Sequence, residues 1–193
     1  MFVKQKHERF TQDIRRVRKW FLTRDGRKLH SRLLQPADTE LLMDLFARLS
    51  PETKRRRFHY PVDQVEIDLV RDAARHLADV DNRTRGGAVL ALEDSSDGQR
   101  IVGVARLMRD EKDPASPDVE AAIVVRDDYH GQGVASELLR RMVLLARLMQ
   151  AKTIVAEIEA DNYPAIKLFR ELDLPTVTTT THGETTMRIA VPE

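Results

Sequence analysis

Apolar and polar positions alternate along the chain with two periods, and the switches between them lay out its elements. Val3, Phe10 and Val17 stand seven residues apart, Ile14 and Phe21 fill the intermediate position, and His7 interrupts the first repeat. Basic residues fill the rest, so the spacing predicts an amphipathic helix of about 20 residues with a narrow apolar seam. An Asp25-Gly26 turn between Phe21–Thr23 and Lys28–Leu34 predicts a hairpin. Pro36-Ala37-Asp38 opens a helix carrying Leu41, Leu42, Leu45, Phe46 and Leu49. Ser50, followed by Pro51, caps a second short helix. A third follows Asp63, with Val65, Leu69, Ala73 and Leu77 on one face. Gly86–Glu93, Arg100–Arg109 and Val119–Val125 read as strands. Gly131–Gln150 begins as a glycine turn and becomes an apolar helix. Thr153–Glu159 is a strand, Tyr163–Leu172 a helix, and Thr176–Thr180 with Thr185–Val191 a hairpin around His182-Gly183. The four-residue threonine run is β-branched strand filling. This order predicts an α/β protein with a mixed sheet whose front strands are antiparallel.

Composition narrows the class. The 193 residues suffice for one domain with a substantial core. There is no cysteine, which removes disulfides, thiolate metal sites and a cysteine nucleophile. No apolar run approaches the roughly 20 residues of a bilayer span, and the N-terminus lacks the apolar stretch of a secretory signal. The expected location is cytoplasmic, without membrane attachment. The net charge of +1 is unevenly spread: residues 1–28 hold ten Lys/Arg against three Asp/Glu, and residues 29–193 hold 22 against 28. The chain therefore divides into a basic arm, 1–23, and a mildly acidic domain, 24–193. That balance does not suit a general nucleic-acid binder.

The segment Ile123–Ser136, IVVRDDYHGQGVAS, carries the chemistry. A strand runs into a turn with Gly131 and Gly133 and then into a helix starting near Val134. The first amides of such a helix lack intrahelical partners and meet the positive end of its dipole. Glycine lets a phosphate approach the main chain, so the segment reads either as a pyrophosphate cradle or as a connecting turn. No Lys-Ser or Lys-Thr follows the glycines, which excludes a nucleotide-hydrolysing P-loop, and Ser136 stands where a dinucleotide fold needs its third glycine.

Asp128-Tyr129-His130-Gly131-Gln132-Gly133-Val134-Ala135, followed by an apolar helix, a strand and Asn162-Tyr163-Pro164-Ala165, resembles the acyl-CoA-binding core of the GNAT N-acetyltransferases. Upstream, Asp25-Gly26, Gln35-Pro36-Ala37-Asp38, Leu49-Ser50-Pro51-Glu52 and Arg57-Phe58 resemble the acetyltransferase domains of bacterial Pat-type protein lysine acetyltransferases. The resemblance covers residues 24–191. It implies a GNAT fold, a mostly antiparallel twisted sheet splayed at the acyl-CoA site and flanked by helices, with acetyl-CoA as co-substrate. It implies main-chain contacts from Ile123 and Val125 to the pantetheine arm, with an N–H of this strand polarising the thioester carbonyl. The pyrophosphate would lie on the turn from His130 through Gly131, Gln132, Gly133, Val134 and Ala135 to Ser136, and Asn162 would contact the cofactor from the far side. His130 replaces the family's usual Gln or Arg, which weakens one phosphate contact or makes it pH-dependent. Phe169 stands where many members place a proton-donating Tyr, though Pat-type domains commonly lack that Tyr.

Transfer to an amine also needs a base. At pH 7 a lysine amine costs roughly 4–5 kcal/mol to deprotonate, and a nearby carboxylate can accept that proton. Glu120 reads from position alone as a surface residue at a strand start, and the Pat-type resemblance makes it the general base. Asp118 is the reserve, with Glu157 and Glu159 behind it. The run Lys54–Arg57 reads as a solvated helix face. Trp20 and Tyr60 read as packing residues, and no metal site is expected because the histidines lack ligand spacing. The expected activity is acetyl transfer to lysine side chains of a protein, by direct attack in a ternary complex. The alternatives are a small-molecule amine acetyltransferase and a non-catalytic acyl-CoA sensor. The arm is expected to mediate a homodimer or to dock on its own domain.

Overall fold

The computed structural model describes residues 15–58 and 65–192. The arm positions Val3, His7, Phe10 and Ile14, together with Tyr60 and Asp63, lie outside the described residues. Residues 15–17 are helical, but the helix predicted through Phe21 ends short of it. Trp20–Leu22 instead form strand β1, which pairs antiparallel with β2 (Lys28–Leu33) across the Asp25-Gly26 turn. Val17 is fully buried, and its carbonyl accepts the Ser31 hydroxyl. Trp20 is half-exposed, tilted against His30 and topped by the Lys28 ammonium.

Helices α1 (Thr39–Arg48), α2 (Pro51–Phe58) and α3 (Ile67–Ala78) precede strands β3 (Gly86–Ser95), β4 (Gly98–Met108) and β5 (Asp118–Val125). Then follow α4 (Val134–Leu148), β6 (Thr153–Glu159), α5 (Tyr163–Arg170), β7 (Thr176–Thr181) and β8 (Glu184–Ala190). The sheet order is β1-β2-β3-β4-β5-β6-β8-β7, antiparallel throughout except for β5 and β6. This is the mixed sheet with antiparallel front strands that the pattern predicts, and the mostly antiparallel arrangement that the resemblance implies.

Strand alternation sends side chains to two cores. Val119, Ala121, Ile123 and Val125 of β5 join Ile154, Ala156 and Ile158 of β6 beneath α4 and α5. On the opposite face, Leu90, Leu92 and Val104 pack with Leu42, Leu45 and Ala74 of α1 and α3. Helix α4 buries Val134, Leu138, Leu139, Met142 and Leu145, a spacing that keeps one face on the sheet. Gly103 permits that approach: a Cβ there would stand 2.9 Å from Leu138 Cδ1 and 3.1 Å from the Val124 carbonyl oxygen. Among the described residues, no helix is long and apolar enough to cross a membrane.

Candidate active site

The ladder between β5 and β6 stops early. Asp118–Ala121 pair with Thr153–Ala156, and neither Ala122–Val125 nor Glu157–Glu159 continues the pairing. The sheet splays there into the V-shaped gap that the family resemblance implies. The Arg126 N–H donates to the Val102 carbonyl at 2.9 Å. Bonded and non-bonded pairs alternate in an antiparallel ladder, so Val125–Gly103 and Ile123–Ala105 are non-bonded pairs. The N–H and C=O groups of Ile123 and Val125 therefore point away from β4 into the gap, where β6 no longer meets them.

A cleft of about 700 Å³ occupies this gap. Its walls include Glu120, Ile123, Val125, His130, Gly131, Gly133, Val134, Ala135, Ser136 and Asn162. Of the cofactor-binding residues expected from sequence, Gln132 is the one that does not line it. The Gln132 N–H donates to the Tyr129 carbonyl at 3.3 Å, its carbonyl accepts the Arg24 N–H at 3.1 Å, and its side-chain oxygen accepts the Asp25 N–H at 3.1 Å. The turn between β1 and β2 thus braces the glycine turn. Arg24 also donates to the Gly131 carbonyl, Arg27 donates to the Asp128 carbonyl, and the Arg27 guanidinium lies 3.8 Å from the Tyr129 ring centroid.

The glycine turn fits a pyrophosphate. The Glu137 N–H makes the first helical bond, to the Gly133 carbonyl. The amides of Gly131, Gly133, Val134, Ala135 and Ser136 find no acceptor among the described residues. Gly131 and Gly133 have φ of +72° and +85°, and the space where their Cβ atoms would stand is open. That combination of bare amides, open space and a helix N-terminus suits a doubly charged anion. His130 turns its Nε2–H to the Val125 carbonyl at 2.9 Å. Since a carbonyl only accepts, the proton sits on Nε2, and Nδ1 is left for other partners. Asn162 is the N-cap of α5, its side-chain oxygen accepting the Ala165 N–H at 3.3 Å.

Glu120, Ala122 and Val124 project to the sheet face opposite α4, as do Val155, Glu157 and Glu159 of β6. Glu120 is exposed on the cleft wall, opposite Met108 and beside Val155. Asp118, the reserve base, is ion-paired to Arg188. Glu157 and Glu159 both line the cleft, and Glu159 is held by Arg55 at 2.9 Å. Phe169 is 3% exposed and brings no proton to the cleft.

Asp127, which sequence reasoning missed, ties the cleft to α2. Its carboxylate accepts the Ser50 N–H at 2.9 Å, the Ser50 hydroxyl at 2.6 Å and the Thr53 hydroxyl at 2.7 Å. Burial alone would raise its pKa, but these donors outweigh it and bring the value down to about 2. The run Lys54–Arg57 divides. Arg55 and Arg56 pair with Glu52, and Lys54 lies over Phe46, whereas Arg57, which lines the cleft with Arg56, has no carboxylate partner among the described residues.

A splayed β5–β6 pair, free strand amides and a glycine turn at a helix N-terminus together form a cleft suited to a long ligand that carries a pyrophosphate. Residues 29–174 match the model of the acetyltransferase (GNAT) domain, so the chain belongs to the GNAT acetyltransferase family, whose acetyl donor is acetyl-CoA. The acetyltransferase PA5475 of Pseudomonas aeruginosa is 29% identical over 123 residues, 64% of this chain. The chain spans 62% of the length of that curated relative. Among solved structures, the GNAT domain of S. lividans PAT superposes with a TM-score of 0.74 at 23% identity, covering 90% of this chain and 96% of that one. The putative acetyltransferase yncA of Salmonella typhimurium, solved with its cofactor acetyl-CoA, gives 0.60 at 19% identity, covering 86% and 95%. A cAMP-binding acyltransferase from Mycobacterium smegmatis gives 0.59 at 20% identity, covering all of this chain and 52% of that one. At these identities the likenesses concern the fold.

Proposed function

We propose that the chain transfers the acetyl group of acetyl-CoA to the side-chain amine of a lysine in a protein. The observation that carries acetyl transfer is the splay, which leaves the Ile123 and Val125 amides open beside the glycine cradle. The lysine acceptor is supported by the upstream resemblance to Pat-type protein acetyltransferases. A cytoplasmic setting belongs to the same proposal and suits a chain without cysteine.

The amides of Gly131 and of Gly133 through Ser136 would hold the pyrophosphate. Gln132 and the hairpin turn behind it would keep those amides in place, and Asn162 would fix the far wall by capping α5. With Val125's carbonyl engaged by His130, its N–H and both groups of Ile123 are left for the pantetheine arm. An N–H fixed on a strand is already oriented toward the negative charge that develops on the thioester oxygen, so no reorganisation is needed. Glu120 would take a proton from the lysine ammonium, directly or through water. The freed nitrogen forms the C–N bond as the C–S bond breaks. With Phe169 in the donor position, the second proton lost by the attacking nitrogen passes through water to the leaving thiolate. The test is thiol release from acetyl-CoA with lysine-containing proteins, lysine peptides and small amines. Release with the first two supports the proposal. Release with small amines alone, or binding of acetyl-CoA without release, overturns it.

A further inference from the structure

A second cavity, of about 200 Å³, lies between the sheet and helices α1 and α3. Leu42, Leu45, Leu69, Leu77 and Val124 line it, and Leu69 and Ile67 of α3 are 61% and 62% exposed at that helix. Arg57, Ala122 and Val124 line both this cavity and the cleft, so the two meet on the Glu120 side of the sheet. Arg106, opposite Ala122 on β4, adds a second guanidinium, and its Nε is buried without a hydrogen-bond partner. Among the described residues, no carboxylate lies within ion-pair distance of Arg57 or Arg106, although the adjoining Arg55 and Arg56 are both paired. Burial lowers the pKa of both groups, that of Arg106 to about 10 with a further contribution from the Arg57 charge. Two inward arginines in an apolar setting are costly unless an anion joins them.

We propose that Arg57 and Arg106 bind a carboxylate side chain next to the acceptor lysine, while an adjoining apolar side chain of the same segment fills the cavity. This rests on the lysine reading above. The carboxylate would lie about 7 Å along β5 from Glu120, since Ala122 is two strand residues away. That separation places an acidic neighbour on the arginines while the lysine reaches the base. Charge and shape together select the occupant: the apolar walls suit a Leu-sized group, and the arginines require an acid beside it.

The experiment uses the full chain, acetyl-CoA and lysine peptides that carry leucine and either aspartate or asparagine beside the lysine. The wild type should show a KM about 10–100-fold lower for the aspartate peptide, the range set by a hydrogen bond to a charged group. Arg106→Gln should erase that preference, Arg106→Lys should restore part of it, and Arg57→Gln should weaken it. Acetyl-CoA affinity should stay unchanged in both Arg106 variants, which shows that the cleft is intact. Equal KM for both peptides, or a preference that survives Arg106→Gln, overturns the inference. So does an Arg106→Gln protein that loses thermal stability and keeps its peptide preference, because the counter-charge then lies within the chain. Failure of the lysine reading looks different, with no thiol released by any peptide.

Discussion

Glu120 is singled out by what happens to the other carboxylates. Asp118 is committed to Arg188 and Glu159 to Arg55, so neither is at liberty to accept a proton. Glu120 stands at the last turn of the pleat before the strands part, one position ahead of Ala121, where the β6 ladder ends. Glu120→Gln should lower kcat by on the order of 10²–10⁴ with acetyl-CoA affinity unchanged. The deficit should narrow at high pH, where more of the amine is already neutral. Turnover like the wild type at pH 7 would move the base to Glu157 or solvent. Gln132 illustrates the limit of reading a motif by position. The segment DYHGQGVAS gives its neighbours a phosphate role, but Gln132 spends its amide, carbonyl and side chain on the chain around it.

At the scale of elements, α2 is held by Asp127 rather than by its own composition. Pro51–Phe58 buries no residue fully, and its Ser50 cap donates to a carboxylate 77 positions away in sequence. Asp127→Ala should lower the unfolding midpoint by roughly 5–10 °C, from about 1.5–3 kcal/mol of lost charged hydrogen bonds. It should also raise KM for the acceptor, because α2 carries Arg57. The sign of the pH effect follows from the depressed pKa of about 2. The stabilisation is complete above the unfolded value near 3.9 and is lost as pH falls through the folded one. A melting series from pH 5 to 2 should therefore show a fall that is smaller in Asp127→Asn than in the wild type. The hairpin turn is the second such device. Arg27→Ala removes the cover over Tyr129 and the bond to the Asp128 carbonyl. It should weaken acetyl-CoA binding severalfold in a titration with little effect on kcat, since it acts only by positioning the glycine turn.

For the whole molecule, local pattern and long-range pairing were legible to different degrees. Period-two runs marked the central strands, and the glycine turn marked the cleft, because both are written into neighbouring residues. The Asn162-Tyr163-Pro164 cap could also be read locally, as a capping residue before a proline. Contacts between Asp127 and Ser50, or between the hairpin turn and Gln132, join residues 77 and 107 positions apart. No periodicity records such pairs. Arg106 looked like any polar residue of a strand until its buried, unpartnered nitrogen appeared. The arm reading needed a boundary that the heptad spacing hid: Phe21 satisfies the seam, yet it lies in a strand. We propose that residues 1–14 mediate a dimer. A chain starting at residue 15 should then have half the solution mass of the full chain and retain acetyl transfer. Unchanged mass with lower stability would indicate docking on the same domain. Truncation through residue 20 is a different experiment, because it removes the buried Val17 and opens β1.

The central claim is that the glycine turn after β5 is the cradle through which this fold takes acetyl-CoA. The most direct measurement is a calorimetric titration of acetyl-CoA into the wild-type chain and into Gly133→Glu. Gly133 has φ of +85°, with open space where its Cβ would stand. The variant therefore carries only the roughly 1–2 kcal/mol strain of a left-handed residue and keeps its fold, while a carboxylate occupies the phosphate position. The account predicts saturable binding by the wild type and none by the folded variant. Equal affinity in the two proteins would contradict it.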